Sequence, residues 1–204
     1  MTLRRIPVLF GLVLGLAACS SGGDDQPAAA GSPTSSPAAP EESRSSAPSP
    51  TPTPSLPGGC DEVLPFTDLD QALGRPLFGQ TRFVLGVAQP SIGRTGRVTC
   101  QYGLPPNGKG AAPVEVGMST YKDAASATDR VEATIAGLRP GATSQAKATV
   151  AGQPATVIGT KTAYTTVLAQ GDRTVAVTVL RAVKPNPQQG TVEVAEKILA
   201  NWSR

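Results

Sequence analysis

The chain has 204 residues, 18 Lys and Arg against 15 Asp and Glu, no histidine, 22 glycines, 20 prolines and only 4% aromatic residues. Without histidine the commonest general base, the Ser-His and Cys-His nucleophile pairs, and the ordinary zinc, haem and copper ligands all drop out. The small net positive charge is scattered along the sequence, so the electrostatic footprint of a nucleic-acid-binding protein is absent.

At the N-terminus Arg4 and Arg5 precede an apolar run from Ile6 to Ala18, broken only by Pro7, after which the composition switches to Ser, Gly, Asp and Pro. Crossing a bilayer takes ~20 apolar residues, and this run supplies thirteen. Charged, apolar, small and then polar is the layout of a secretory signal peptide, placed at residues 1–18. The Leu16-Ala17-Ala18-Cys19 stretch resembles the lipobox of bacterial lipoproteins. That resemblance implies a diacylglyceryl group on the Cys19 sulfur, cleavage before Cys19 and acylation of the new amine. One acyl chain binds a bilayer only marginally, whereas two or more hold it stably. The partner so implied is the lipid bilayer, and the place is the extracytoplasmic face of the cell membrane.

Residues 19–57 read as a tether. From Ser20 to Pro57 there are nine prolines and ten serines, with Leu56 the only large aliphatic side chain. Such a segment cannot bury enough apolar surface to offset its ordering entropy. Its reach runs from ~34 Å as a flexible coil to ~120 Å as stretched polyproline II.

Residues 58–204 are long enough for a single domain with its own core. A short helix is predicted from Thr67, as its cap, to Gly74, with Leu69, Ala72 and Leu73 on one side. Strands follow at Arg82 to Val87 and Arg97 to Leu104. In the second of these, Val98, Cys100 and Tyr102 share a face. After the turn Pro105 to Gly110, the stretch Val114 to Tyr121 alternates, with Val114, Val116 and Met118 together. Ala124, Ala127, Val131, Ile135 and Leu138 recur at helical spacing until Pro140-Gly141. Four β-rich runs come next, at 143–150, 153–159, 162–169 and 173–181, joined by turns short enough for an antiparallel meander. A closing helix is expected from about Thr191 to Trp202, burying Val192, Ala195, Ile198, Leu199 and Trp202. The fold class is therefore α+β: a mainly antiparallel sheet ending in a four-strand meander, with about three helices packed on one of its faces.

With Cys19 assigned to lipid, Cys60 and Cys100 remain as an even pair in an exported, oxidising compartment, which predicts a disulfide. Two thiolates without histidine make a poor zinc site, and the two are too far apart in sequence for a Cys-x-x-Cys redox pair. Two weaker motifs are present. Ser144-Gln145-Ala146-Lys147 and Lys161-Thr162-Ala163 resemble elements of penicillin-binding enzymes, but the first falls in a strand-like run where that family needs a helix start. Asp61, Glu62, Asp68 and Asp70 form the densest acidic group. It reads as helix-start charge, the sharper alternative being a carboxylate pair for glycoside or calcium chemistry.

The lipobox, the Pro/Ser tether, a cysteine opening the domain, Leu73-Gly74, a second cysteine followed by Tyr102, an Ala-rich central helix and a closing helix together resemble actinobacterial envelope lipoproteins of the domain-of-unknown-function 3558 type. The resemblance brings no catalytic residue, cofactor or metal. The reading is of a tethered, non-catalytic binding or accessory domain, the alternative being an envelope hydrolase or transferase working through carboxylates or Ser-Lys.

Overall fold

A computed structural model describes residues 55–183 and 185–202; the signal peptide, Cys19 and the tether as far as Pro54 lie outside the described residues. The chain there forms seven strands, β1 (Gln80–Gly86), β2 (Arg94–Leu104), β3 (Val114–Tyr121), β4 (Ala142–Val150), β5 (Gln153–Thr160), β6 (Ala163–Gln170) and β7 (Arg173–Leu180). Four α-helices accompany them: α1 (Cys60–Val63), α2 (Phe66–Leu73), α3 (Ala124–Leu138) and α4 (Pro187–Trp202). All strands belong to one antiparallel sheet in the order β1-β2-β3-β7-β6-β5-β4.

Two meanders build this sheet. The first, β1-β2-β3, ends at the centre. Helix α3 then carries the chain across to the far edge, from which the expected four-strand meander β4-β5-β6-β7 walks back until β7 pairs with β3, Val116 opposite Val177. The β4–β5 hairpin closes on two residues, Ala151 (φ 47°) and Gly152 (φ 80°). Positive φ at both central positions is what a turn matched to the strand twist requires.

The helices lie on both faces of the sheet, which corrects the expectation of one helical face. Side chains alternate along a strand, and on β6 the Thr166 hydroxyl meets Thr191 of α4 at 2.6 Å while its neighbour Val167 lines a cleft with Val131 of α3. On the α4 face Val98, Cys100, Tyr102, Val114, Val116, Met118, Val175, Val177 and Val179 pack against Val194, Ala195, Ile198, Leu199 and Trp202, with Leu69 and Leu73 of α2 beside them. This is the main core, and it extends to Leu56, which is half-buried against it, so the ordered body begins inside the expected tether. The stripe on α4 is Thr191, Val194, Ala195, Ile198, Leu199 and Trp202; the expected Val192 sits on its shoulder. Helix α3, by contrast, has Ala127 as its one buried residue, and Val131, Ile135 and Leu138 are half-buried. It covers β5, β6 and the central β7 and reaches beyond the centre to β3.

Cys60 and Cys100 are joined by a disulfide with their Cα atoms 5.5 Å apart, tying α1 to β2. The Tyr102 hydroxyl donates to the Cys60 carbonyl at 2.9 Å in the same buried corner, and Phe66 packs edge-on against the tyrosine ring. Burial, with the negative charge of Asp61 as a smaller contribution, pushes this phenol well above its ordinary range, so it stays a neutral donor at any physiological pH.

Thr67 is not the cap of α2: Pro65 occupies that position, and no side chain bonds the helix end. The real side-chain cap belongs to α3, where Asp123 accepts from the Ser126 amide at 2.7 Å. That hydrogen bond, with smaller help from the Ser126 side chain and Lys122, holds the Asp123 carboxyl below the usual aspartate range. A carboxyl depressed in the folded state stabilises above its unfolded pKa of about 3.9 and loses that contribution as pH falls through the lower folded value. Asp123→Ala is therefore expected to lower the melting temperature at pH 7. The difference from wild type should shrink as the pH falls below that unfolded value, without vanishing, because a neutral oxygen still accepts; for the same reason Asp123→Asn should retain most of the cap.

Candidate functional site

Three of the four acidic residues singled out in the sequence make contacts within the fold. Glu62 accepts from the Gly58 amide at 2.7 Å, Asp70 accepts from the Leu77 amide at 2.8 Å, and Asp68 faces Lys197 at 3.9 Å. Each thus holds a loop or a helix pair. Among the described residues no group of three or more His, Cys, Asp or Glu side chains is placed to hold a metal. Ser144 and Lys147 sit on the edge strand β4. Three residues apart in a strand, they point to opposite faces, whereas the same spacing in a helix would bring them together. Lys161 and Thr162 occupy the β5–β6 turn. Phe78 and Phe83 are 79% and 36% exposed.

A separate group of polar side chains gathers on the α3 face. Because α3 stops short of β1 and β2, a cleft of about 90 Å³ remains between the helix and the sheet. The sheet contributes Arg97 from β2, Gly117, Ser119 and Tyr121 from β3, and Thr174 from β7; the helix contributes Arg130, Val131 and Thr134. Cross-strand register explains the grouping, since Arg97 pairs with Ser119, which pairs with Thr174. Gly117 leaves its side of the cleft open: a Cβ there would stand 3.5 Å from Arg97 Nη2.

Arg97 makes one long side-chain hydrogen bond, Nε to Thr99 Oγ1 at 3.4 Å, and neither it nor Arg130 has a carboxylate within ion-pair distance among the described residues. Ser119 is 6% exposed and Tyr121 3%; the buried side-chain atoms left without a partner among the described residues are Arg94 Nε and Trp202 Nε1, outside the cleft. Two other arginines are occupied. Arg181 donates to the Thr160 carbonyl at 2.6 Å and the Tyr164 hydroxyl at 2.7 Å while lying over the Tyr164 ring, and Arg173 pairs with Asp172 and stacks on Trp202. Two half-buried arginines and the hydroxyl-bearing Ser119, Tyr121 and Thr174 thus line one cleft.

No protein-family model matches the chain, and no curated protein does. The fold is similar to the extracellular domain of PknH from Mycobacterium tuberculosis. The likeness has a TM-score of 0.47 at 12% identity and covers 71% of this chain and 94% of that domain.

None of the cleft residues was singled out by sequence reading. Arg97, Ser119 and Arg130 are separated by 22 and 11 positions and meet only through strand pairing and the packing of α3. A signal did exist on β3: Glu115, Gly117, Ser119 and Tyr121 are a polar set alternating with Val114, Val116 and Met118. That pattern marks one sheet face as less fully covered than the other.

Proposed function

We propose that this chain is a lipid-anchored domain at the extracytoplasmic face of the cell membrane and that it acts by binding, without catalysis. The observation that supports the binding role is the α3-face cleft, lined by Arg97, Arg130 and the hydroxyl-bearing Ser119, Tyr121 and Thr174, with no carboxylate within ion-pair distance of either arginine among the described residues. Of the densest acidic group, Glu62, Asp68 and Asp70 are each engaged in a separate contact of the fold, which favours this reading over a carboxylate enzyme. The signal-peptide layout, Cys19 and the Pro/Ser segment support the anchored placement. A disulfide in the domain fits an oxidising compartment. The likeness in layout to the lipoproteins of the domain-of-unknown-function 3558 type belongs to the same reading.

Anchoring rests on Cys19 in this account. Cys19→Ala, expressed in an actinobacterial host, should accumulate as unprocessed precursor and lose the detergent-phase partitioning of wild type in Triton X-114. A mature Cys19→Ala protein that partitions like wild type would overturn the lipoprotein reading.

A further inference from the structure

The cleft's chemistry is specific enough to name a ligand class. We infer that the space between α3 and the β2–β3–β7 face binds a phosphoryl group, held between the Arg97 and Arg130 guanidiniums and the hydroxyls of Ser119, Tyr121 and Thr174. This rests on the binding-domain reading above and gives that site its occupant.

Three observations carry the inference. The first is charge: the lining holds two arginines and no carboxylate, and among the described residues no carboxylate lies within ion-pair distance of either. Guanidinium groups are planar forks whose N–H pairs match oxyanion geometry. The second is the direction of the donors. Arg97, Ser119, Tyr121 and Thr174 come from the sheet, while Arg130 comes from the helix on the opposite wall. A planar carboxylate presents two oxygens in one plane. A tetrahedral phosphoryl group presents oxygens in several directions and can accept from both walls at once. The third is size: about 90 Å³ is room for roughly three waters, enough for one phosphoryl group but not for a nucleotide or a sugar ring. The rest of a phosphate ester would stay outside, beyond the half-buried arginines.

Phosphoryl groups reach the extracytoplasmic face as free phosphate and as the diesters of lipid headgroups and wall polymers, and the test separates these sources. The mature full-length protein in neutral detergent would be titrated calorimetrically with inorganic phosphate and, separately, with glycerophosphoglycerol, a soluble headgroup diester, at constant ionic strength set with chloride. Saturable binding of at least one probe is expected. Arg97→Gln and Arg130→Gln should each weaken it about ten-fold or more, and the double variant should abolish it. Arg130 stands on the helix surface at the cleft mouth, so Arg130→Gln keeps the test decisive should Arg97→Gln fail to fold, and melting curves without phosphate identify that case. Preference for inorganic phosphate would assign a soluble ligand, and preference for the diester a lipid or polymer headgroup; either supports the site. Heats no larger than those of chloride for both probes, or Arg130→Gln binding as wild type does, would overturn it. The anchored placement would stand or fall separately, on the fractionation of Cys19→Ala.

Discussion

Replacing Cys60 and Cys100 together by alanine is expected to lower the unfolding free energy of the domain by about 4 kcal/mol, the chain-entropy value for a loop of this length. The bridge spans 40 residues, a stretch that includes α1, α2, β1 and the start of β2. Once it is opened, Val63, Leu69 and Leu73 still pack in the main core, but α1 has four residues and no side-chain cap, and β1 is an edge strand whose burial pattern is exposed almost throughout. The bridge ties α1 to β2 and so limits how far this stretch can open. Equilibrium unfolding in guanidinium of wild type, wild type with reductant, and the double variant would measure the effect. Coincident midpoints in all three would show that the bridge contributes nothing to stability.

Ile198→Ala should cost about 2–5 kcal/mol, the range for truncating a fully buried aliphatic side chain. Ile198 has no exposed surface and stands on α4 between Ala195 and Trp202, at the centre of the main core. Ile135→Ala, on the half-buried face of α3, should cost well under half as much, because part of that side chain already meets solvent. Chemical denaturation of the two variants tests the ratio. Native-state hydrogen exchange adds a second readout, with the α3 amides expected to exchange at lower opening free energy than those of α4 and β7. Equal costs would mean that α3 is held far more firmly than its burial indicates.

The elements themselves were largely legible, because the signals that define them are local. Period-two alternation at Val114 to Met118, the Ala151-Gly152 and Gln170-Gly171-Asp172 turns, and the apolar spacing that ends at Trp202 each report a short piece of chain and its immediate surroundings. The α+β class and the final meander follow from them, as does the pairing of the only two cysteines left after Cys19. What could not be read was set by distance in sequence. Nothing local to residues 124–138 says that this helix crosses to the face opposite α4, since a half-buried amphipathic stripe looks the same on either side. The Asp123 cap could have been found, for an aspartate directly before a helical run is a standard start signal. The cleft could not, since Arg97 and Arg130 become neighbours only after β3 pairs with β2 and α3 folds back.

Placing helices on both faces turns the sheet into a partition. The described chain begins on the α4 side, where Leu56 and Pro57 line a hollow with Met118, Ile198 and Trp202, and the arginine cleft opens on the other side. The first described residues and the arginine cleft therefore lie on opposite sides of one seven-stranded wall.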